Sequence, residues 1–289
     1  MTVADARRAL LGRLIDHAAL FPPASLDMPA ALAADRAARA SEHAWMLDRF
    51  IVPASRLHEL PRDAPRLSVV LDGGEGDLET VAETPHDVEL VEARIDPEWI
   101  PDTQELVRVK LGEGVRAFWE LAPGRGLRGA VAAVREARAG AKIRCGGATV
   151  PPVEGVAAFI AACRDAGVPF KATAGLHHAL RRGDAHGFLN LLAAAVFAHA
   201  DGLEEEDLAT IVAEEDPAAF TVDAGGLAVH GRRADAGAIT SARAELFIAY
   251  GSCSFEEPVG DLTALGIFTP TPSERDRLRR SAQRQGVNE

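Results

Sequence analysis

Two lysines stand in apolar segments of this chain that have the composition of buried strands. Lys142 lies in AKIRCGG (141–147), and Lys171 lies in PFKATAG (169–175). An ammonium group in a protein interior is costly unless it is paired or loses its proton. Because burial and a neighbouring cation both favour the neutral amine, such a lysine can attack carbonyl groups. We therefore take both lysines as candidate catalytic residues, with structural ion pairs as the alternative.

The residues next to each lysine share its side of the predicted strand. Side chains alternate along a strand, so Arg144 lies on the face of Lys142, and Thr173 lies on the face of Lys171. The intervening Ile143 would face the helices instead. Arg144 and Thr173 are therefore predicted to contact a substrate.

Carboxylates occur in or directly after three earlier apolar segments. Asp72 ends VVLDGG, Glu92 lies in VELVEA and Glu120 lies in FWELAP. Glu92 and Glu120 could pair with the lysines or transfer protons as general acids and bases. We expect these two to be catalytic and Asp72 to bind substrate.

Three histidines follow the second lysine segment, within GLHHALRRGDAHGF (175–188). They are His177, His178 and His186. Histidine titrates near neutral pH and is also the commonest metal ligand. Two interpretations stay open. His177 and His178 line the mouth of a substrate pocket, or the three histidines bind a divalent metal such as zinc.

The segment YGSCS (250–254) could bind an anion where a strand runs into a helix. Gly251, Ser252 and Ser254 offer backbone N–H groups and hydroxyls there. A capped helix start is the alternative interpretation. Cys253 is a nucleophile candidate for which the sequence indicates no partner.

Strand-length apolar segments recur along the chain and alternate with helical patterns. Besides the two lysine segments, they are RFIVPA (49–54), RLSVVLD (66–72), DVELVEARI (87–95), VRAFWELA (115–122), LAVHG (227–231) and ELFIAYGS (245–252). Apolar residues at helical spacing predict helices over 126–140, 153–167 and 186–200. Strands separated by single helices pair in parallel through right-handed crossovers. About eight such units predict a (β/α)8 TIM-type barrel, whose chemistry lies at the carboxyl ends of the strands.

The predicted barrel is a single domain over residues 1–272. An N-terminal helix over about 3–20 is expected to extend it, and residues 273–289 are expected to form a polar C-terminal tail. A doubly wound open sheet is the alternative fold. The absence of G-x-G-x-x-G and of a phosphate-binding P-loop from the sequence makes a nucleotide-binding open sheet less favoured.

Composition excludes several classes of partner. The net charge is −12, whereas general nucleic-acid binders are usually basic. Three cysteines do not build a disulfide framework and are typical of a reducing cytoplasm. The longest apolar run is too short to span a bilayer. We expect a cytoplasmic protein that binds neither nucleic acid nor membrane, and a homodimer paired through helical faces is left open.

Several segments resemble deoxyribose-phosphate aldolases, a family of class I aldolase barrels. LIDHAALFPPAS (14–25) is similar to the family's opening motif, and DVELVEA is similar to its acidic strand. KIRCGGATV (142–150) is similar to its Schiff-base strand, and FKATAGL (170–176) is similar to its second lysine strand. YGSCS is similar to its terminal Gly-Thr-Ser-Ser, and the five segments occur in the family's order along the chain. The family's phosphate-binding loop is not matched, so a sugar-phosphate substrate is not implied.

The resemblance implies roles for five residues. Lys142 would form an imine with the substrate, and Lys171 would activate it as a neighbouring cation. Glu89 or Glu92 stands where the family has a proton-shuttling aspartate. Asp16 matches the aspartate of the family's opening motif and is expected to contact substrate.

These observations lead to one main expectation and two alternatives. We expect an aldolase- or lyase-like enzyme that acts on a small anionic carbonyl compound through an active-site lysine and needs no cofactor. A metal-dependent barrel hydrolase or lyase that uses His177, His178 and His186 is the first alternative. A non-catalytic small-molecule binding barrel is the second.

Overall fold

Eight parallel strands close into a barrel in the computed structural model, which describes residues 5–74 and 76–268. The barrel strands are β1 (Ile15–His17), β2 (Leu47–Pro53), β3 (Leu67–Val70), β4 (Val88–Ala93), β5 (Arg116–Glu120), β6 (Gly140–Arg144), β7 (Phe170–Thr173) and β11 (Phe247–Ser252). Their order around the barrel is β1, β11, β7, β6, β5, β4, β3, β2. This confirms the predicted (β/α)8 barrel.

Helices alternate with these strands along the chain. They are α1 (Ala6–Leu11), α2 (Met28–Arg39), α3 (Asp77–Glu83), α4 (Ile100–Leu111), α5 (Leu127–Glu136), α6 (Val153–Ala166), α7 (Phe188–Asp201), α8 (Glu205–Ala213), α9 (Ala236–Glu245) and α10 (Glu256–Ala264). The three helices expected from apolar spacing are confirmed as α5, α6 and α7. Helix α6 is capped by Gly167, whose φ of 64° is left-handed and favours glycine.

The first barrel strand lies inside the segment for which a helix was expected. The prediction of a helix over 3–20 is wrong, because α1 ends at Leu11 and residues Ile15–His17 pair with both β2 and β11. This strand is only three residues long, and all three are buried. A strand so short and buried on both faces has no apolar alternation that a sequence pattern could reveal.

The segment LAVHG is a strand, but its assignment to the barrel is wrong. Gly226–Val229 is β9, the middle of an antiparallel sheet with β8 (Phe220–Asp223) and β10 (Arg232–Ala234). His230 and Gly231 connect β9 to β10 with positive φ angles of 48° and 77°. Two consecutive positive φ angles are typical of a tight hairpin turn, which joins antiparallel strands and not parallel ones.

The two lysine strands lie side by side, and Lys142 is directly opposite Lys171 in their register. Ile143 packs in the hydrophobic core outside the barrel, as the alternation of side chains predicts. Below the lysines the ring of Phe118 fills the interior. Gly140 leaves room for it, since a Cβ there would come within 2.3 Å of the ring.

Two further expectations from the sequence concern the C-terminal tail and the membrane, and they can be compared with the structure only over the residues that it describes. The polar tail expected over 273–289 lies outside the described residues. Within residues 5–74 and 76–268, none of the helices has the length and apolar character needed to cross a bilayer.

Candidate active site

Charged side chains of alternating sign form a row inside the barrel. The row, which we call the internal charge chain, consists of Arg49, Asp16, Lys171, Glu92, Lys142, Glu120 and Arg144. All but Arg144 are buried. Ionised groups are tolerated in a protein interior only when each finds an opposite charge or hydrogen bonds, which the alternation provides.

The deeper half of the internal charge chain is held together by short contacts. Arg49 Nη1 lies 3.2 Å from Asp16 Oδ1, and Asp16 Oδ2 lies 2.5 Å from Lys171 Nζ. Lys171 Nζ also lies 2.5 Å from Glu92 Oε1. The hydroxyl of Ser68 donates a hydrogen bond of 2.5 Å to the same oxygen. Lys171 is thus a fixed ammonium between two carboxylates.

The upper half leads from Glu92 to the barrel mouth. Lys142 Nζ lies 3.2 Å from Glu92 Oε2 and 3.2 Å from Glu120 Oε2. Arg144 Nε donates a 3.0 Å hydrogen bond to Glu120 Oε1, and half of the arginine side chain is exposed. Lys142 is therefore also placed between two carboxylates, but nearer to solvent.

Electrostatics keeps the charged forms of these groups. Burial acts to raise the pKa of Glu92, but Lys171 and Lys142 outweigh it and hold that pKa far below its usual range. Burial likewise opposes ionisation of Glu120, and Lys142 and Arg144 lower its pKa. Burial acts to lower the pKa of Lys171, and Asp16 and Glu92 outweigh it, so the pKa is raised. Lys171 is therefore an ammonium at neutral pH and not a nucleophile.

A cavity of about 470 Å³ opens at the carboxyl ends of the strands. Its polar lining consists of Glu92, Lys142, Arg144, Thr173, His177, Ser252 and Cys253. Its apolar lining includes Ala18, Phe21, Pro22, Pro23, Ile51, Val70 and Leu176. Lys142 belongs to this lining, whereas Lys171 lies beneath it. An apolar pocket with a few converging polar groups is the usual form of a small-molecule site.

Two glycines bring the loops after β6 and β7 into direct contact beside this cavity. A Cβ on Gly146 would lie 2.5 Å from the Cα atom of Gly175. Gly175 itself has a φ of 69°, a conformation that side chains disfavour. The close approach holds the two loops together at the mouth, above Lys142.

Side chains from the loop after β7, the loop after β11 and the first turn of α10 meet at the rim of the cavity. His177 Nδ1 lies 3.6 Å from Cys253 Sγ and 3.6 Å from Glu257 Oε2. Burial is the main reason that the pKa of the Cys253 thiol is raised. Cys253 therefore has a partner after all, although the two residues lie 76 positions apart in the sequence.

The other two histidines of the predicted set do not line the cavity. His178 Nδ1 lies 3.1 Å from Asp261 Oδ2, on the side of α10. His186 is buried with its Nε2 2.8 Å from the carbonyl oxygen of Pro151. Among the described residues, the one group of side chains close enough to share a metal ion includes His177 but neither His178 nor His186.

Three residues that we expected at the substrate lie elsewhere. Asp72 is exposed and accepts hydrogen bonds from the backbone N–H and the hydroxyl of Ser55. Ser254 accepts a 3.2 Å hydrogen bond from the N–H of Glu257, which is the capped helix start. Asp16 is fully buried inside the internal charge chain.

The remaining predicted residues divide by position along their strands. Gly251 and Ser252 line the cavity, and the Ser252 hydroxyl donates to the carbonyl oxygen of Ser254. Glu89 pairs with Arg49 at 2.6 Å, near the start of β4. Of the two glutamates considered for the family's aspartate, Glu92 is the one that contacts both lysines.

A smaller cavity of about 300 Å³ shares Arg144 with the main one, and sequence reasoning did not identify it. Glu120 and Arg94 also line it. Arg94 lies two residues after Glu92 in VELVEARI, so the alternation that selected Glu92 could have selected it too.

Comparison with known proteins gives no functional assignment, because no family model and no curated protein matches this chain. The barrel is a fold that enzymes commonly use, with active sites at the carboxyl ends of its strands. The internal charge chain reaches the cavity at that end.

Proposed function

We propose that this protein is a class I aldolase-like lyase in which Lys142 forms an imine with a small anionic carbonyl compound. The observation that carries the proposal is the position of Lys142. Its Nζ lies at the cavity, 3.2 Å from each of two carboxylates that stay ionised. The resemblance to the aldolases supports the reaction type and not a particular substrate.

The charge arrangement suits imine formation. The proton that Lys142 gives up before its amine attacks the carbonyl carbon can pass to water in the cavity and return when the carbinolamine hydroxyl leaves, since Glu92 and Glu120 stay ionised. Loss of water from the resulting carbinolamine gives an iminium, which carries its positive charge at the same nitrogen. The two carboxylates thus balance a cation at this position both before and after the reaction. Lys171 keeps its proton and holds Glu92 in place.

The iminium then serves as an electron sink for cleavage of a carbon–carbon bond. A base removes the proton of a β-hydroxyl, the bond between the α and β carbons breaks, and an aldehyde leaves. The electron pair moves into the iminium to form an enamine. Protonation of the α carbon and hydrolysis by water release the second product and restore Lys142.

Two arginines support an anionic substrate. Arg144 lines both cavities, and Arg94 lines the smaller one. Nε and Nη2 of Arg144 bond Glu120, so the remaining nitrogen of Arg144 and the guanidinium of Arg94 can bind a carboxylate or phosphate beside Arg144. Thr173 lies opposite Arg144 in the strand register and adds a hydroxyl.

The test is borohydride trapping with a panel of aldehydes and keto acids, followed by intact mass and peptide mapping. The chain has only three lysines, Lys110, Lys142 and Lys171, so assignment of the adduct is direct. We expect reduced adduct on Lys142 and none on Lys110, which lies exposed on α4. Lys142→Arg keeps the charge without the nucleophile and should abolish the adduct. Trapping that persists in Lys142→Arg, or no adduct with any carbonyl in the panel, would contradict the proposal.

A further inference from the structure

Three potential metal ligands meet at the rim of the cavity. His177 follows β7, Cys253 follows β11, and Glu257 lies in the first turn of α10. We call these residues the rim triad. One ligand atom from each, an imidazole nitrogen, a thiol sulfur and a carboxylate oxygen, lies within 4.8 Å of the other two.

Two of the three separations fit the edges of a tetrahedron around zinc, and the third, between Cys253 and Glu257, is within 4.8 Å. Zinc bonds of about 2.3 Å to sulfur and about 2.0–2.2 Å to nitrogen or oxygen place neighbouring ligand atoms roughly 3.3–3.7 Å apart. In the rim triad, Nδ1 of His177 lies 3.6 Å from Cys253 Sγ and 3.6 Å from Glu257 Oε2. Only small side-chain adjustments are then needed to close the site on an ion.

The triad does not have the arrangement of a cysteine nucleophile with a histidine base. In such catalytic groups the third residue binds the second ring nitrogen and orients the imidazole. Here Cys253 and Glu257 both face Nδ1 of His177. The three ligand atoms instead lie close enough together to share one cation.

We propose that the rim triad binds a zinc ion and leaves the fourth coordination position to a substrate oxygen. Three protein ligands and one exchangeable position are typical of catalytic zinc, and mixed nitrogen, sulfur and oxygen donors suit this borderline-soft ion. His177 and Cys253 also line the main cavity, so an ion there borders the bound substrate. This site differs from the histidine set expected from sequence and needs no imine at Lys142.

The test measures zinc in the untagged full-length protein by elemental mass spectrometry after dialysis, and zinc affinity by competition with a chelating dye. We expect about one zinc per chain, in line with structural and catalytic zinc sites that retain metal through purification. His177→Ala, Cys253→Ser and Glu257→Gln should each weaken zinc binding tenfold or more. The adjacent variants His178→Ala and Glu256→Gln are matched controls and should bind zinc as the unmodified protein does.

Cobalt substitution identifies the ligands independently of zinc content. Cobalt(II) bound to the triad should show a thiolate-to-metal charge-transfer band in the near ultraviolet, which Cys253→Ser removes. Glu257 is exposed, so Glu257→Gln tests the site without disturbing the core. Lys142→Arg should bind zinc normally, which separates this proposal from the imine chemistry. Zinc far below one per chain with no cobalt–thiolate band, or zinc affinity unchanged in all three triad variants, would overturn the proposal.

Discussion

Two lysines of the same type, opposite each other on neighbouring strands, differ through their partners. Lys171 lies between Asp16 and Glu92 with both contacts at 2.5 Å, and it does not reach the cavity. Lys142 has longer contacts and does reach it. The close ion pairs of Lys171 favour a permanent positive charge, whereas the position of Lys142 at the cavity allows it to react with a substrate. We therefore expect substitutions of the two lysines to affect different properties.

Lys171→Met should destabilise the fold strongly. It removes the cation between two buried carboxylates, and breaking a buried ion pair from one side costs about 3–5 kcal/mol. Urea unfolding at neutral pH measures the loss. Lys110→Met is the control, because Lys110 pairs with Glu79 on the surface and should hardly change stability. Equal midpoints for both variants would show that Lys171 is not held as described.

Glu92 should make stability depend on acid. Lys171 and Lys142 depress its pKa in the folded state, so its contribution is complete above the unfolded pKa of roughly 4.3 and falls as pH drops below that value. Glu92→Gln lacks this contribution and also leaves two ammonium groups poorly paired. We expect the variant to be much less stable than the unmodified protein at pH 7. The difference should shrink below about pH 4 in urea titrations, and a constant difference would contradict the assignment.

Sequence patterns identified the residues that lie on strands but not those that meet across loops. The alternation along β6 and β7 predicted that Lys142, Arg144 and Thr173 share one face, and all three line the cavity. The contact between His177 and Cys253 joins two loops far apart in the chain. Such a contact follows from the path of both loops, which no local periodicity encodes.

At the level of elements, the loops after β6 and β7 depend on a backbone contact. Gly146→Ala forces a Cβ into the backbone of Gly175, and overpacking of this kind costs roughly 1–3 kcal/mol. Because these loops border the cavity, the variant should also form less of the trapped adduct on Lys142. Thermal unfolding and borohydride trapping measure the two effects.

Gly129→Ala is the matched control for that substitution. Gly129 lies inside α5 with open space around its Cα atom, and alanine in a helix is favoured over glycine by about 0.5–1 kcal/mol. We expect Gly129→Ala to raise the unfolding temperature and leave trapping unchanged. A loss of stability in both variants would mean that the cost at Gly146 does not come from contact with Gly175.

Element prediction succeeded where a segment was long and strongly apolar. Strands β3, β4, β5, β7 and β11 fall within segments chosen for their composition, whereas β2 begins two residues and β6 one residue before the predicted segment. Strand β1 was not predicted, because three residues that are all buried show no alternation of apolar and polar side chains. Strand β9 was assigned to the wrong sheet, because its pattern fits a parallel as well as an antiparallel pairing. The turn after β9 holds the missing information, since consecutive residues with positive φ belong to hairpins.

At the scale of the whole molecule, the segment Ile15–His17 near the start of the chain is part of the barrel. A chain that begins at residue 18 lacks β1, which pairs with β2 and β11, and lacks Asp16, the buried partner of Lys171. We expect this truncation to lose cooperative unfolding and to bind hydrophobic dyes. If residues 1–17 were an extension outside the barrel, the truncated chain would unfold at the original midpoint.

The expectation of a homodimer stays a prediction. Trp99, Leu106 and Val109 are large apolar side chains with more than half of their surface exposed, in or next to α4. Light scattering from the purified protein measures the oligomeric state directly. A dimer that Trp99→Glu dissociates would place the contact on this face.

The pairing of β1 with β11 also determines when the barrel can close during synthesis on the ribosome. The two strands pair at Ile15 and Tyr250, so the first strand waits for its partner while more than two hundred residues are translated. At about 5–20 residues per second this wait lasts on the order of tens of seconds. Asp16 has no Lys171 to pair with until β7 has been translated, and the edge of β1 has no partner strand until β11 has been translated. The nascent chain thus spends most of its translation as an unclosed sheet, the form that chaperones recognise.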